Sequence, residues 1–303
     1  MRSASSYLHG TSPSEQSRLS LLNRLVNRGS LSELDLRGGE RVLEMGSGLG
    51  DFAREIAKQV GRRGRVLGIE RSARQLKQSR QRPPSSAGSV EFRRGDALSP
   101  PLRPREWGSF DVAHARFLLE HLREPLTAVR QMVRAVRPGG RIVLEDDDHD
   151  VLRIHPSPAG FPALWRAYMS SFRVLGNDPV IGRKLPALLH RAGARPTRNT
   201  WIFFGSCAGH RDFPLFLENL TEVLASARKT LLSKDLIATP QFHAAMQSLR
   251  DWGGRPDAAI YYAISWAEGR RPQPTADRRS RSQAADHRRL PPRSQRLTAR
   301  HPR

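Results

Sequence analysis

One short segment constrains the fold of this chain more than any other feature of its sequence. An apolar run leads into three alternating glycines, in the order Val42-Leu43-Glu44-Met45-Gly46-Ser47-Gly48-Leu49-Gly50-Asp51. A strand that passes through such a turn into a helix aims backbone N–H groups and the helix N-terminus at an anionic ligand. Glycines suit the turn because the ligand comes closer to the backbone than a Cβ would allow. The segment therefore predicts a strand, a ligand-binding turn and a helix.

Asp51 narrows the class of ligand that this turn can accept. The dinucleotide fingerprint Gly-x-Gly-x-x-Gly needs a glycine at position 51, where this chain has an aspartate. A carboxylate placed against a diphosphate is electrostatically unfavourable. The turn favours a nucleoside ligand without a pyrophosphate and argues against a nicotinamide-dependent oxidoreductase.

Strand and helix patterns alternate along the first half of the chain. Strands are predicted at Arg41–Met45, Arg65–Glu70, Val90–Arg94, Phe110–Ala115 and Arg141–Glu145. Helical patterns separate them, and a first helix is predicted from the capping signal Ser12-Pro13-Ser14-Glu15 to a stop at Gly29. This alternation predicts an α/β fold with a parallel sheet and helices on both faces.

The second half is less regular. Helices are predicted at Phe161–Leu175, Ile181–Ala192, Pro214–Leu232 and Pro240–Trp252, and strands at Asn199–Phe204 and Ala259–Trp266. Because the two late strands are separated by helices, we expect them to close the sheet as an antiparallel edge pair.

Two acidic residues stand at successive strand ends beside the glycine turn. Glu70 ends the second strand, where a carboxylate can accept both hydroxyl protons of a ribose. Asp96 follows the third strand and is placed to accept a hydrogen bond from an adenine amino group. Each acid alone could be an ordinary loop residue or helix cap, since strand ends often carry Asp and Glu. Together with the glycine turn they predict a nucleoside site.

These motifs resemble those of the class I S-adenosylmethionine-dependent methyltransferases. Glu44–Gly50 is similar to the family's acidic-x-Gly-x-Gly-x-Gly motif, and Glu70 and Asp96-Ala97 match its ribose and adenine positions. Phe110–Arg116 resembles the fourth-strand motif, and Arg137–Arg141 resembles the turn before the fifth strand. The resemblance covers about residues 40–150. It implies a Rossmann-like, doubly wound seven-stranded sheet of order 3-2-1-4-5-7-6, with strand 7 antiparallel, and S-adenosyl-L-methionine as cofactor.

The resemblance assigns a cofactor site residue by residue. The cofactor-binding set that it implies is Tyr7, Glu44, Gly46, Ser47, Gly48, Gly50, Glu70, Arg71, Asp96, Ala97 and Arg116. Tyr7 is expected to lie over the cofactor, or else to pack as an aromatic residue of a lid. The fourth-strand exit Phe117–Leu122 followed by Glu124-Pro125 is like that of ubiquinone- and menaquinone-biosynthesis enzymes. A small-molecule acceptor, methylated on oxygen or nitrogen or else on carbon, is therefore expected.

Other methyltransferase classes fit less well. DNA amino-methylating enzymes need an (Asp/Asn/Ser)-Pro-Pro-aromatic turn after the fourth strand, and this chain has Ala113-His114-Ala115-Arg116-Phe117 there. Cytosine-C5 enzymes need a cysteine nucleophile, whereas Cys207 lies on a late strand and is expected to be a small buried apolar residue. The alternatives that stay open are an RNA or protein methyltransferase and a catalytically silent cofactor-binding regulatory protein.

Two histidines are candidate general bases, because His121 follows the fourth strand and His149 the fifth. The aspartates of Asp146-Asp147-Asp148-His149-Asp150 are expected to favour the protonated form of His149, which is a poorer base. His121 is therefore the favoured candidate. A purely structural role for either histidine is the alternative. The acidic cluster could hold Mg²⁺, but we expect an exposed loop with alternate residues facing water and assign no metal.

Charge and composition bound the remaining possibilities. The formal charge of the 303-residue chain is +22, and eleven arginines between Arg270 and Arg303 face only Asp277 and Asp286. Such a segment cannot bury enough apolar surface to order itself. It is either a basic arm that binds nucleic acid or a disordered extension without a partner. The extension without a partner is the favoured interpretation. A single cysteine excludes a disulfide scaffold, and no apolar run is long enough to span a bilayer, so a cytoplasmic location is expected.

The predicted domain organisation follows these signals. Residues 1–36 form an N-terminal helical lid, and residues 37–272 form the methyltransferase domain. Helical insertions are expected at about 155–195 and 210–256. Residues 273–303 form the disordered basic tail.

Overall fold

Five parallel strands form the centre of the molecule, for which a computed structural model describes residues 25–81 and 88–273. They are β1 (Arg41–Met45), β2 (Arg65–Glu70), β3 (Ser89–Arg94), β4 (Phe110–Arg116) and β5 (Val136–Asp147). β1 lies between β2 and β4, and its Val42 is level with Val66 and Val112. The carboxyl ends of β1, β2 and β4 therefore lie at one edge of the sheet.

Two later strands complete this sheet. β7 (Arg195–Phe203) and β10 (Ala263–Arg270) follow β5, so that the order is β3-β2-β1-β4-β5-β10-β7. β10 is antiparallel to both of its neighbours. The predicted seven-stranded order, with the last strand antiparallel, is confirmed.

Eight helices pack around this sheet in the described ranges. They are α1 (25–34), α2 (Asp51–Val60), α3 (Ala73–Gln81), α4 (Pro125–Ala135), α5 (Phe161–Val174), α6 (Leu185–Arg191), α7 (Phe213–Ser233) and α8 (Thr239–Trp252). Alternate strand residues point to opposite faces, so Val42 and Leu43 belong to two separate apolar clusters. The first cluster includes residues of α1, α2, α5, α7 and α8, and the second those of α4 and α6.

The predicted strand Ala259–Trp266 is wrong in one respect, because it is two strands in two sheets. β9 (Ala259–Tyr261) pairs with β6 (Arg153–His155) and β8 (Ser206–Cys207) in a small antiparallel sheet, while Ala263 begins β10. Tyr262 lies at the break, where its hydroxyl donates to Asp147 at 2.8 Å. The break turns this side chain towards the end of β5.

Gly29 does not end the first helix, which continues to residue 34. A Cβ at position 29 would lie 2.6 Å from Cγ2 of Ile202. The glycine is thus needed for close packing of α1 on β7 rather than for a helix stop. The capping signal at Ser12–Glu15 lies outside the described residues.

Cys207 is exposed, so the expectation that it is a buried apolar residue is wrong. It lies on the two-residue strand β8, which pairs on one side only, with β9. Within residues 25–81 and 88–273, no helix combines the length and apolar character that crossing a bilayer requires.

Candidate functional site

The glycine turn between β1 and α2 has the backbone geometry that its sequence predicts. Gly46, Gly48 and Gly50 have φ angles of +74°, +54° and +75°, which disfavour residues with a Cβ. A Cβ at Gly50 would also lie 2.3 Å from Cζ of Phe92. The N–H groups of Gly46 and Ser47 both donate to the carbonyl of Ile69, at 2.8 and 3.0 Å. The turn is therefore fixed against the end of β2.

A cavity of about 380 Å³ lies beside this turn, at the carboxyl ends of β1, β2 and β4. It is lined by nine of the predicted cofactor residues, namely Glu44, Gly46, Ser47, Gly48, Glu70, Arg71, Asp96, Ala97 and Arg116, and by the candidate base His121. Gly50 and His149 are not among its lining residues. Tyr7 lies outside the described residues. Separate sequence motifs are thus brought together around one space large enough for a small ligand.

Glu70 is held in place by backbone donors on both of its oxygens. Gly48 N–H donates to Oε2 at 2.9 Å and Ser72 N–H donates to Oε1 at 2.6 Å. Burial raises the pKa of Glu70, and the hydrogen bonds from Ser72 and Gly48 oppose that rise. Since a carboxylate oxygen has a second lone pair, Glu70 keeps acceptor capacity towards the cavity.

Glu44 lies at the base of the cavity and is more deeply buried than Glu70, with 4% of its surface exposed. Burial raises its pKa to about 8, although the guanidinium of Arg116 acts in the opposite direction. Oε2 of Glu44 has no hydrogen-bond partner within the described residues. A buried acceptor without a partner is costly, so this oxygen suits a ligand that donates a hydrogen bond or carries positive charge.

Arg116 ends β4 and is anchored by helix α1. Its guanidinium donates to Oδ1 of Asn27 at 2.8 Å and to Oγ of Ser30 at 3.1 Å, and it lies 3.9 Å from the ring centre of Phe52. Ser30 in turn donates to Glu145 at 2.6 Å. Asn27, Ser30 and Glu145 were not predicted as site residues, because neither a glycine motif nor a strand end marks them.

Asp96 and Ala97, which follow β3 in the sequence, form one wall of the cavity. Oδ1 of Asp96 accepts the N–H of Leu98 at 2.9 Å, which holds the carboxylate in a tight turn. Ala97 is buried at 7% exposure. A small apolar residue beside a carboxylate acceptor would suit a flat base that donates hydrogen bonds, and the adenine contact stays a prediction.

Glu120 joins the two candidate histidines. Its Oε1 lies 3.3 Å from Nε2 of His121, and its Oε2 lies 3.1 Å from Nε2 of His149. His121 also stacks on Phe172 of α5, with ring centres 6.0 Å apart. The short 3₁₀ turn Leu119–His121 places both Glu120 and His121 directly after β4.

The expectations for the segment around His149 are wrong in two respects. Asp146, Asp148 and His149 are buried, so this is not an exposed loop. Burial lowers the pKa of His149 and outweighs the attraction of Asp147 and Asp148, so the aspartates do not favour its protonated form. Asp148 is instead paired with Arg183, whose Nε lies 2.5 Å from Oδ2 of Asp148.

Glu120, Asp147 and His149 form the group in the described ranges whose side chains could hold a metal ion. One ligand atom from each lies within 4.8 Å of the others. Both ring nitrogens of His149 already have neighbours, however, because Nδ1 lies 3.1 Å from the hydroxyl of Tyr262. The group is therefore a hydrogen-bonded cluster as it stands.

The fold and cavity together define the class of protein. A Rossmann-like sheet of this order, with a glycine turn after β1 and acids after β2 and β3, is the arrangement expected of a nucleoside-binding domain. The sequence matches a family model described as "Methyltransferase domain" over residues 43–144. These residues run from β1 into β5, about a third of the chain, and this part of the chain is a methyltransferase domain.

Two curated relatives are similar to parts of this chain, and the second of them is a methyltransferase. The chain is 36% identical over 168 residues to a 37.1 kDa protein in transposon TN4556 of Streptomyces fradiae. This match covers 55% of this chain and 47% of the relative. It is 34% identical over 128 residues to the 2-phytyl-1,4-naphtoquinone methyltransferase of Thermosynechococcus vestitus. This second match covers 42% of this chain and 55% of that enzyme. The chain thus spans about half the length of these relatives.

A solved structure agrees on the fold. It is a chain of the complex between the Haloferax volcanii Trm112 methyltransferase activator and a methyltransferase. The TM-score is 0.53 at 12% sequence identity, and the match covers 85% of this chain and 95% of that chain. At this identity the likeness concerns the fold alone.

Proposed function

We propose that this protein transfers a methyl group from S-adenosyl-L-methionine to the oxygen or nitrogen of a small-molecule acceptor, with carbon as the alternative. The observation that carries the proposal is the convergence of Glu44, Glu70 and Asp96 on one cavity beside the glycine turn. The match to a 2-phytyl-1,4-naphtoquinone methyltransferase favours a quinone-type acceptor.

Each part of the cofactor has a proposed partner in the cavity. Glu70 accepts from the ribose hydroxyls, and Asp96 and Ala97 contact the adenine. The unpartnered Oε2 of Glu44 accepts from the amino group of the methionine part, and Arg116 faces its carboxylate. Gly46, Ser47, Gly48 and Arg71 complete the wall.

The bound cofactor supplies an electrophilic methyl group on a sulfonium. The chain's own residues then need to hold the acceptor in line with that group, exclude water and accept a proton if the acceptor releases one. Phe117 and Leu118 line the cavity on the side of His121 and give that side an apolar surface.

His121 is the proposed general base, because it lines the cavity and His149 does not. The contacts of Glu120 suggest a route for the proton. When Nδ1 of His121 takes up a proton, the proton on its Nε2 can move to Oε1 of Glu120, across 3.3 Å, which leaves the imidazole neutral. His149 and Tyr262 then lie behind Glu120 as the next members of the chain of hydrogen bonds.

The directions of these hydrogen bonds leave one proton shared between His149 and Glu120. The hydroxyl of Tyr262 donates to Asp147, since a carboxylate can only accept. Nδ1 of His149 must then donate to the Tyr262 oxygen, 3.1 Å away. One further proton must lie between Nε2 of His149 and Oε2 of Glu120, which are 3.1 Å apart. As Glu120 receives a proton on Oε1, this proton can shift to His149, and charge is conserved.

Mass spectrometry with labelled cofactor tests the proposal. The full chain is incubated with methyl-deuterated S-adenosyl-L-methionine and a panel of hydroquinones, naphthols and aromatic amines. The expected result is a labelled methylated product that the Glu70→Ala variant forms far more slowly. Labelled RNA or protein instead would support the macromolecular alternative. Tight cofactor binding without transfer to any class would support a regulatory role, and tight NAD binding without S-adenosylhomocysteine binding would overturn the proposal.

A further inference from the structure

A second cleft, of about 450 Å³, lies at the opposite edge of the sheet from the glycine turn. Five arginines line it, namely Arg41, Arg63, Arg65, Arg103 and Arg105. Arg41 and Arg65 are paired at the amino ends of β1 and β2. The cleft is therefore separated from the cofactor cavity by the length of the strands, and nothing in the methyl-transfer proposal uses it.

Two glutamates, Glu91 and Glu106, also line this cleft, and both contact Arg93, which is not among its lining residues. Glu106 contacts Arg93 through both oxygens, at 2.8 and 3.1 Å, and Glu91 lies 2.7 Å from the same guanidinium. Arg93 is the main reason that the pKa of Glu106 is lowered to about 2. Asp111, next to Phe110, is paired with Arg137 at 2.7 Å. Of these carboxylates, Glu91 lies 3.8 Å from one lining arginine, Arg103, and the other lining arginines form no ion pair with them in the described part of the chain.

Four of the five arginines have no carboxylate partner within residues 25–81 and 88–273. They are Arg41, Arg63, Arg65 and Arg105, whereas Arg103 lies 3.8 Å from Glu91. Several guanidinium groups around one concave surface repel each other and create a strongly positive potential. Such an arrangement is favourable when an anion of several charges lies between them.

The walls of the cleft are fixed by contacts that do not involve a ligand. Glu106 accepts the N–H of Arg103 at 2.6 Å, and this bond closes the turn that carries Arg103 and Arg105. The guanidinium of Arg41 lies 5.5 Å from the ring centre of Phe110, which forms part of the floor. A pre-formed site loses less conformational entropy when it binds a ligand.

We propose that this cleft binds a compact anion with two or more linked phosphate groups. Arginine is suited to phosphate because its planar fork donates two parallel hydrogen bonds to phosphate oxygens. A single phosphate could reach only part of a cleft of this size. The ligand is either a free polyphosphate or the polyphosphate part of a nucleotide.

Isothermal titration of the full chain with inorganic tripolyphosphate tests this proposal. We expect one ligand per chain at low salt and weaker binding as ionic strength rises. The double variant Arg63→Glu/Arg65→Glu should lose at least tenfold in affinity. The matched control Arg130→Glu/Arg228→Glu reverses the same charge on the exposed faces of α4 and α7 and should lose less than threefold. Both variants should bind S-adenosylhomocysteine as the wild type does.

A second titration with uridine triphosphate identifies the source of the phosphates. Binding tighter than that of tripolyphosphate indicates a nucleotide, and equal or weaker binding indicates free polyphosphate. The proposal is overturned if tripolyphosphate binds with no defined stoichiometry, or if the two double variants lose affinity equally. Either result would mean that the excess charge of the whole chain, not this cleft, attracts the anion. Because S-adenosylhomocysteine binding is read separately, this outcome leaves the methyltransferase proposal untouched.

Discussion

Oε2 of Glu70 accepts the backbone N–H of Gly48 at 2.9 Å, and this bond ties the end of β2 to the glycine turn after β1. The two residues are 22 positions apart in the sequence. The hydrogen bond is made within the protein and holds the carboxylate at the edge of the cavity. Pre-alignment of this kind lowers the entropic cost of binding.

The first prediction follows from that bond. Glu70→Ala should weaken binding of S-adenosyl-L-methionine by about 2–4 kcal/mol, the worth of two charge-assisted hydrogen bonds in a closed site. Calorimetry measures the loss, and Glu222→Ala on the exposed face of α7 is the control. A loss below about 0.5 kcal/mol would mean that Glu70 does not hold the ribose.

The second prediction concerns Glu44 and pH. Its pKa is about 8 in the folded state because of burial, and an ordinary value of 4.5 applies in the unfolded state. The folded state therefore retains a proton that the unfolded state loses between these values. Glu44 thus makes the free energy of unfolding fall as pH rises from 4.5 towards 8, by at most about 1.4 kcal/mol per pH unit.

Urea unfolding of the wild type and Glu44→Gln between pH 5 and 8 measures this effect. The Gln variant does not titrate, so its free energy of unfolding should rise relative to the wild type as pH increases. Glu222→Gln, exposed on α7, should follow the wild-type curve. Parallel curves for wild type and Glu44→Gln would show that Glu44 is ionised throughout this range.

The sheet order was implied by the resemblance to a known family, whereas the glycine turn and the positions of Glu70 and Asp96 at strand ends could be predicted from the residues themselves. Each depends on a local signal, such as a glycine that needs positive φ or an acid that directly follows a strand. Asn27, Ser30 and Tyr262 could not be predicted, because they lie on separate elements and reach the site only through tertiary packing. The burial of Asp146 and Asp148 was missed for the same reason, since their partners lie on other segments of the chain: the N–H groups of Leu118 and Leu119 for Asp146, and Arg183 for Asp148.

The third prediction concerns the proposed base. His121→Gln should reduce turnover by roughly 10²–10⁴-fold while the affinity for the cofactor stays unchanged. His190→Gln, exposed on α6, is the matched control. If His121→Gln and His149→Gln both retain turnover within a few-fold, the acceptor needs no base and alignment alone drives the transfer.

The fourth prediction separates the role of Glu120 from simple packing. Glu120→Gln keeps the shape of the side chain but cannot carry a proton between His121 and His149. We expect lower turnover, an unchanged KM and a shifted pH–rate profile, whereas Glu120→Asp should restore part of the rate. A change in stability with an unaltered pH profile would identify Glu120 as a structural residue only.

The fifth prediction tests the proposed end of the methyltransferase domain at Pro272. The contacts of Arg271 show that the domain extends at least to that residue. Its N–H donates to the carbonyl of Gly140 at 2.9 Å, its carbonyl accepts from Gly139 at 2.9 Å, and its side chain donates to Val136 at 2.7 Å. A chain that ends at Pro272 keeps all three bonds. It should have the melting temperature and cofactor affinity of the full chain, because the removed segment is rich in arginine and nearly without apolar residues.

A chain that ends at Gly269 is the matched control for this cut. It lacks Arg270 and Arg271 and leaves Gly139, Gly140 and Arg141 in β5 without their partners, so its melting temperature should fall by several degrees. Filter binding to a single-stranded RNA tests the arginines beyond Pro272. If they serve a nucleic-acid acceptor, the full chain should bind with a steep salt dependence that the chain ending at Pro272 lacks. Equally weak binding by both chains would leave the small-molecule acceptor as the reading that fits, since no affinity for nucleic acid would then depend on the basic segment.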